Sequence, residues 1–563
     1  MPERARFEGG PSIHGAAVTL RLDGQILSRG AWFTADQPDP LAIWHAAGEA
    51  VRLARAALPI ENDALAEDRA AELGERTTIS LELFGPPIAI PPEELALPYA
   101  GCSPGAEALV VRAGDAVRVT GVDAQVTRGS DPARVLASMA ADITAQGETA
   151  LRPLSELAEN GFTFSRAAVV HMAMPFEGAS PVFLDRAGRI VPSQTMRTPE
   201  MRAMADSIAA HIRSRVWPGV EHFGIGGPLN AVTGRPDPVV ARPFEQAISA
   251  IALFRHAAVS AGTEQGAESE RAALRIVRDL GTVEPGEEAP WSDPIAASAT
   301  VGALGEMTPA QRASDPVFEV LRVRCLNEVR DAFDPDTGFA ERVAPAAYGL
   351  IAWAHVRAVG MGEGFTAERA ERAIRAAFRE TPPGNLVSQM PFLAWADMDL
   401  NADNALPSAV ALRAMRDLCW EHQLHWRDLR PLDRDLAGGI VFTRSRVALP
   451  TWQSLRPMAA LASMLGDTRV TPGSFTSPDI AREVVRLTDA LRFVRQLQME
   501  GECLYLARSP VQVSGGLRRA TWDPTVSPEA SAMGLLTVTE ALRSMHGIVR
   551  REQQRRESVQ SKP

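Results

Sequence analysis

A recurring helix-start signal in the last two thirds of this 563-residue chain most constrains its fold. Thr198-Pro199-Glu200, Ser477-Pro478-Asp479 and Ser527-Pro528-Glu529 each place a hydroxyl residue before a proline and a carboxylate. The hydroxyl accepts a hydrogen bond from a free backbone N–H, the proline stands where no donor is needed, and the carboxylate faces the positive end of the helix dipole. This pattern predicts that the chain beyond residue 196 is almost entirely helical.

Apolar periodicity predicts about eleven helices in this part of the chain. They are expected at 199–215, 243–260, 268–280, 294–306, 316–332, 345–359, 366–379, 408–428, 451–465, 478–498 and 527–548. No fixed repeat of about 34 or 40 residues separates them, which disfavours a regular solenoid. Helices of this number with irregular loops fit a closed ring of helical hairpins. We therefore predict an all-α, (α/α)6 toroid-like domain at 196–548 and a polar tail at 549–563.

The first 150 residues show strand patterns instead. Alternating residues and turn signals predict strands at 15–22, 25–33, 77–84, 108–112 and 116–120. Helices are expected from Pro40 to about Leu58 and from Asp131 to about Gln146. The apolar stripe expected to bury the first helix consists of Leu41, Trp44, Ala47, Val51 and Leu58. The chain is thus predicted to be multidomain, with an α+β domain at 10–150 and a connecting segment at 151–195 before the helical domain.

Composition narrows the functional class. The net charge of −11 argues against nucleic acid or an anionic membrane surface as a partner. The four cysteines form no CxxC pair, the N-terminus has no apolar leader, and no window of about 18 apolar residues occurs. We therefore expect a cytoplasmic protein without a membrane span.

The N-terminal segments resemble the AMMECR-type domain over about residues 10–147. The matching segments, in order, are Val18–Gly24, Arg29-Gly30, Pro40-Leu41, Ile79–Leu83 and Ala108–Thr120. The family signature follows Arg-Gly with Cys-Ile-Gly, whereas Ala31-Trp32-Phe33 follows here. The resemblance implies the fold, but the replaced cysteine puts any chemistry of that residue in doubt. Arg29 and His14 either line a groove beside Gly30 or, alternatively, Arg29 is a surface residue and Gly30 marks a bulge.

The helical part resembles the (α/α) toroid or six-hairpin class, through its helix number and the phrase Gly515–Arg518 before Asp523 and a final helix. That class includes glycosidases, polysaccharide lyases, sugar epimerases and terpenoid cyclase-like proteins. The combination of the two domains is also similar to uncharacterised bacterial proteins. Such a resemblance implies a fold that often carries enzymes, but it does not fix a reaction.

Candidate site residues are densest between Trp395 and Asp523. The candidate catalytic carboxylates are Asp397, Asp399, Asp433, Asp435 and Asp523, of which the first two are expected in a loop. The candidate ligand-binding residues are Trp395, His422, Arg444, Trp452, Arg456, Arg518, Trp522 and Arg29. Carboxylates beside tryptophan rings suit sugar binding and glycoside chemistry.

The sequence motifs that could bind a metal ion are incomplete. The run from Asp397 to Asp403 is similar to the start of a calcium loop, but Ala402 and Ser408 stand where glycine and glutamate are needed. His422 and His425 are three residues apart without an HExxH pattern. We therefore predict no metal site and no cofactor.

Two functions stay open at this point. In the first, the toroid binds and processes a carbohydrate-like or other small polar ligand by carboxylate acid–base chemistry, as a hydrolase, lyase or epimerase. In the alternative, the protein is a non-catalytic binding or scaffold protein, which Ala31 and the lack of a sharp catalytic motif favour. An open cleft with converging carboxylates would favour the enzyme, and a cleft filled by apolar side chains would favour the scaffold.

Overall fold

The structure is a computed structural model that describes residues 12–58, 72–283, 286, 289–442, 449–473 and 477–560. An N-terminal antiparallel sheet precedes a helical C-terminal region. Among the described residues, no helix combines the length and apolarity needed to span a bilayer.

Seven antiparallel strands form the part of the N-terminal sheet that the structure describes. They are β1 (Gly15–Leu22), β2 (Gln25–Phe33), β3 (Thr77–Ala89), β4 (Glu107–Ala113), β5 (Ala116–Thr120), β6 (Thr163–Ala173) and β7 (Val182–Leu184). Their order is β2-β1-β3-β6-β4-β5, and β7 pairs with β6. Asp23-Gly24 forms the turn between β1 and β2, and both residues have positive φ. The segment at 151–195 is more than a connection, because its strand β6 lies between β3 and β4.

Among the described residues, five helices accompany the sheet. They are α1 (Ala42–Ala57), α2 (Pro92–Leu95), α3 (Val122–Arg128), α4 (Pro132–Thr144) and α5 (Leu154–Glu159). The stripe predicted to bury α1 is wrong: Trp44 is 76% exposed, and the buried residues are Ala42, Ala46, Ala50 and Ala54. The reason is the close approach of α1 to β2. A Cβ atom on Gly30 would lie 2.2 Å from the Ala46 carbonyl oxygen, so only small residues fit between helix and strand.

The short helix α3 is held on the sheet by a buried carboxylate. Asp123 accepts hydrogen bonds from Arg21 at 2.7 Å, Arg29 at 2.9 Å and Thr19 at 2.9 Å. Arg29 therefore serves this contact, and Gly30 marks a helix contact rather than a bulge. Glu82 on β3 accepts the backbone N–H of Asp123 at 3.0 Å, and its second oxygen is buried without a hydrogen-bond partner among the described residues.

The helical region contains fourteen described helices. They are α6 (Thr198–Ser214), α7 (Pro243–Val259), α8 (Glu264–Thr282), α9 (Pro294–Glu306), α10 (Pro309–Ala313), α11 (Pro316–Ala332), α12 (Tyr348–Arg357), α13 (Ala367–Glu380), α14 (Phe392–Leu400), α15 (Ala409–Glu421), α16 (Leu455–Gly466), α17 (Pro478–Leu497), α18 (Pro510–Val513) and α19 (Pro528–Gln560). Short strands in the loops are β8 (Leu229–Asn230), β9 (Arg235–Pro236), β10 (Phe333–Asp334), β11 (Gly338–Phe339), β12 (Arg518–Ala520) and β13 (Asp523–Val526).

Six of these helices pack in succession, and we call them the core helices. Helix α7 packs on α9, then α9 on α12, α12 on α14, α14 on α16, α16 on α19, and α19 on α7 again. The helices between them in the chain flank this succession: α8 packs on α7, α11 on α9, α13 on α12 and α17 on α16. The residue patterns of the helices explain why the core helices are buried while the flanking helices keep one exposed face. Helix α9 is buried on all sides from Ala296 to Leu304, whereas α13 has one buried alanine-rich face and a charged face.

The eleven predicted helices correspond to observed ones, but α14 was predicted as a loop. Its nine residues are almost all apolar, and all from Phe392 to Met398 are buried. A short helix buried on every side lacks the 3.6-residue alternation by which helices are recognised. Asp397 and Asp399 therefore lie on a core helix. The final helix also continues to Gln560, through most of the predicted polar tail.

The connections at the two ends of the core helices differ in length. Residues 215–242 lead into α7 and residues 498–527 into α19, whereas only 260–263 follow α7 and 401–408 follow α14. The long connections also carry the contacts with the sheet. Tyr505, Leu506 and Trp522 share one apolar cluster with Ala17 and Phe84 of the sheet.

The close contact between α1 and β2 gives a first prediction. Gly30→Ala should destabilise the protein by about 2 kcal/mol or more, because the new methyl group overlaps the backbone of α1. Gly48→Ala, in the middle of α1, is the matched control, since a Cβ there meets nothing within 4 Å. It should stabilise the helix by about 0.5–1 kcal/mol. Urea unfolding measures both, and equal effects would contradict the packing.

The Glu82 contact predicts a pH dependence of stability. Burial, with the nearby Asp123 charge, raises the pKa of Glu82 from 4.5 to about 7. The folded state therefore holds this proton more tightly than the unfolded state. The stabilising contribution is complete below pH 4.5 and is lost as the pH rises to about 7, on the order of 3 kcal/mol. Urea unfolding at pH 4.5 and at pH 7 measures this difference in unfolding free energy, and Glu82→Gln should abolish it. An unchanged difference between the two pH values in Glu82→Gln contradicts the role of Glu82.

Candidate functional site

A cavity of about 480 Å³ lies at the C-terminal ends of the core helices. Its walls come from α7, α14, α16 and α19 and from the residues that follow α16. Charged and polar side chains of both signs line it: Arg255, Asp399, Ser463, Asp467, Arg469, Arg543 and Ser544. This is room for a small molecule with several hydrogen-bonding groups.

Arg255 organises the base of this cavity. Its guanidinium forms ion pairs with Glu306 of α9 at 3.2 Å and with Glu540 of α19 at 2.8 Å. Arg357 at the end of α12 continues the network, 3.4 Å from Glu306 and 3.9 Å from Asp399 of α14. These ion pairs join the ends of five core helices: α7, α9, α12, α14 and α19.

The sixth core helix joins through hydrogen bonds. Ser463 of α16 donates to the second oxygen of Glu540 at 3.0 Å and accepts from the Trp395 indole N–H at 2.9 Å. Arg543, one turn after Glu540, pairs with the same carboxylate. Because Glu540 has only 2% of its side chain exposed, these partners are what makes burial of its charge tolerable.

Aromatic side chains fill the space beneath the network. Trp353, Phe392 and Trp395 pack against one another with ring centroids 5.6–5.8 Å apart. The Arg255 guanidinium lies 4.0 Å from the centroid of Trp395, whose exposure is 1%. The predicted ligand residue Trp395 therefore borders the cavity, but a cation–π contact already occupies its ring face.

The two aspartates predicted on either side of Met398 have different environments. The Asp399 side chain is 37% exposed, faces the cavity and accepts the indole N–H of Trp353 at 3.2 Å. Asp397 is buried and accepts from Asn401 at 2.9 Å and from the backbone and hydroxyl of Ser408. Asp397 thus holds the connection after α14, and Asp399 is the predicted carboxylate that a ligand can reach.

Two further carboxylates near the cavity, Glu306 and Asp467, are held in the ionised form. Burial alone would raise the pKa of Glu306, but Arg255 and Arg357 outweigh it and lower that pKa. Burial also opposes ionisation of Asp467, and its hydrogen bonds from Arg469 lower its pKa. These groups suit charge and hydrogen-bond recognition more than proton donation at neutral pH.

Asp433 and Asp435 lie far from the cavity, at the contact between sheet and helical region. Arg186, which follows β7, pairs with Asp433 at 2.7 Å and also with Asp435. Ser103 donates to Asp433 at 2.6 Å. The predicted ligand residue Trp522 packs here too, with the Arg186 guanidinium 5.9 Å from its ring centroid. All four of these side chains, Arg186, Asp433, Asp435 and Trp522, are buried, so they stabilise this contact and are not exposed to a ligand.

Other predicted site residues serve local structure. Asp523 accepts the backbone N–H of Thr525 at 2.9 Å. The His422 ring Nδ1 lies 2.8 Å from the Val441 carbonyl, and Trp452 is half-buried against the helical core. The structure does not bring these three to the cavity.

Arg518 and Arg456, two of the arginines predicted to bind a ligand, do not line the cavity. Arg518 is buried and donates to the backbone carbonyls of Leu497, Gln496 and Thr521. Arg456 lies in the first turn of α16, at the opposite end of the core helices from the cavity. Arg444 falls outside the described residues.

Sequence reasoning missed Arg255, Glu306, Arg357 and Glu540. A signal was available for two of them: Arg255 and Glu540 interrupt otherwise apolar stretches of α7 and α19. A single charge inside such a stretch must find a partner when it is buried. Within the part of the chain that the structure describes, no three His, Cys, Asp or Glu side chains are grouped so as to hold a metal ion.

No protein-family profile matches the sequence, and no curated protein matches it. One similar solved structure is that of an uncharacterized protein from Pyrococcus horikoshii. The alignment covers 33% of this chain and 85% of that one, with 13% sequence identity and a TM-score of 0.22. This similarity is too low to assign a fold or a function.

Proposed function

We propose that the helical region is an (α/α)6 toroid and that it binds a small, polar, carbohydrate-like ligand in the cavity at the C-terminal ends of its core helices. The observation that carries the proposal is the cavity itself, with Asp399, Ser463 and Arg543 on its walls. The return of the packing succession from α19 to α7 supports the toroid.

The lining indicates how such a ligand is held. Asp399 offers an acceptor for hydroxyl or ammonium groups, and Arg543 offers donors to hydroxyl or anionic groups. The ring face of Trp395 lies under Arg255, so the ligand binds by hydrogen bonds and charge rather than by stacking. A sugar or sugar acid has this mixture of groups.

Processing of the ligand by carboxylate acid–base chemistry is the extension of this proposal. Asp399 is the residue for that role, since it is the predicted catalytic aspartate on the cavity wall. The group it can serve is a hydroxyl or a carbon-bound proton of the bound ligand.

A non-catalytic scaffold is the second candidate function. The specific observation in its favour is the filled interior, where Trp353, Phe392 and Trp395 are each at most 1% exposed. In that case the outer surfaces bind partners, and the cavity is a by-product of packing.

For the sheet, we propose an AMMECR-type domain, supported by the order of the matching segments across β1 to β5. We also propose a cytoplasmic location. The free state of all four cysteines, Cys102, Cys325, Cys419 and Cys503, supports it.

Ligand binding is tested with variants of the cavity. In calorimetric titration against monosaccharides, sugar acids and polyols, Asp399→Asn should weaken binding about tenfold, the loss of one charge-assisted hydrogen bond. Asp336→Asn is the control, because Asp336 is an exposed aspartate near Arg372, remote from the cavity lining.

Two outcomes contradict parts of the proposal. If no compound binds at millimolar concentration, the cavity is not the site and the scaffold is favoured. If a compound binds and NMR shows that the wild type leaves it unchanged over days, the cavity binds a ligand without processing it. If the wild type forms a product and Asp399→Asn forms it at the same rate, Asp399 is not the catalytic residue.

A further inference from the structure

Six charged side chains at the C-terminal ends of the core helices alternate in sign and form one continuous series, which we call the charge series. Its members, in order, are Arg543, Glu540, Arg255, Glu306, Arg357 and Asp399. Neighbours in this order form ion pairs, at 2.8, 3.2, 3.4 and 3.9 Å for the four pairs from Glu540 to Asp399. The charge series therefore has a cationic end, Arg543, and an anionic end, Asp399.

The two ends of the charge series differ from its interior in their partners. Each interior side chain lies between two charges of opposite sign, as Glu540 does between Arg255 and Arg543. Each end has one such partner among the described residues, Glu540 for Arg543 and Arg357 for Asp399. The ends are also the exposed members: 60% of Arg543 and 37% of Asp399 are accessible to water, against at most 22% for any interior member. A charge from outside the protein can therefore pair with either end.

Both ends lie on the wall of the cavity. The other charged residues of the wall are already compensated. Arg255 is an interior member of the charge series, and Asp467 pairs with Arg469, which also donates to the backbone carbonyl of Asn404 at 3.0 Å. A ligand in the cavity therefore meets one cation and one anion that are each compensated on one side only.

The anionic end has the greater unused capacity. The distance of 3.9 Å between Arg357 and Asp399 is longer than a hydrogen bond. Asp399 accepts one hydrogen bond from the Trp353 indole, at 3.2 Å, and a carboxylate can accept several more. Asp399 can thus accept charge-assisted hydrogen bonds from an ammonium group.

We propose that the ligand of the cavity carries both charges, with an ammonium group bound by Asp399 and an anionic group bound by Arg543. This inference rests on the proposed function, since it takes the cavity to be a ligand site. A charged group that enters the cavity loses hydration, and the opposite charge at each end of the charge series compensates for that loss. The cavity, of about 480 Å³, has room for a sugar ring that bears both groups. An amino sugar with an anionic substituent is such a ligand.

The test compares four compounds built on one sugar ring, by calorimetric titration of the full chain. They are glucose, glucosamine, glucose 6-phosphate and glucosamine 6-phosphate, at about pH 6.5, where the amine is protonated and the phosphate is ionised. Glucosamine 6-phosphate should bind at least about tenfold more tightly than either compound with a single charge, because it alone gains both charge-assisted contacts.

Variants of the two ends should change this preference in opposite ways. Asp399→Asn should abolish the preference for glucosamine 6-phosphate over glucose 6-phosphate and keep the preference over glucosamine. Arg543→Gln should do the reverse. Each preference is a ratio of affinities within one variant, so a general loss of packing does not produce this crossed pattern. Asp336→Asn and Arg372→Gln, which alter an exposed ion pair outside the cavity lining, are the matched controls and should keep both preferences.

The outcomes separate this inference from the function on which it rests. If glucose or a compound with a single charge binds as tightly as glucosamine 6-phosphate, the doubly charged ligand is wrong and the cavity remains a ligand site. If none of the four binds at millimolar concentration, the proposed function fails together with the inference. Wild-type preferences in both Asp399→Asn and Arg543→Gln also overturn the inference. Circular dichroism establishes that each variant is folded, and the wild-type series decides the matter if a variant is not.

Discussion

The ion pairs of Arg255 are the interaction on which the helical region depends. This arginine leaves water to lie among aromatic rings, and its two carboxylates and the Trp395 ring face compensate for the lost hydration. Glu540 belongs to the last core helix and Arg255 to the first, so one buried pair joins the two ends of the packing succession. The same side chains form the base of the cavity.

A comparable arrangement holds the N-terminal sheet on the helical region. Arg186 reaches from the sheet to Asp433 and Asp435, while Tyr505 and Trp522 fill the apolar contact around them. The carboxylates at this contact face a buried arginine instead of solvent. Both of these contacts thus centre on one arginine between two carboxylates, with a tryptophan beside it.

Much of the secondary structure could be predicted from sequence, because most elements have one buried face. The β1–β2 hairpin and helices such as α9 and α11 lie where alternation, turn signals and apolar periodicity predict them. Helix α14 and the buried side of α1 were missed, since both depend on tertiary packing. The first is buried all round, and the second faces a strand at Gly30 that leaves room only for alanine.

The candidate site was predicted only in part, for a similar reason. Residue type correctly indicated Asp399 and Trp395 as residues of the cavity. Proximity in sequence wrongly grouped them with Asp433 and Asp523, which do not line it. The network partners Glu306 and Glu540 are separated from Arg255 by 51 and 285 positions. No local pattern encodes such distances.

The most direct test of this account is a double-mutant cycle between Arg255 and Glu540, with unfolding free energies from urea titration. Arg255→Met and Glu540→Met should each destabilise the protein by several kcal/mol, because each removes one ion-pair partner of a buried charge. The double variant should be more stable than the sum predicts, by about 2 kcal/mol. Additive effects, to within about 0.5 kcal/mol, would contradict a pair that joins the first and last core helices.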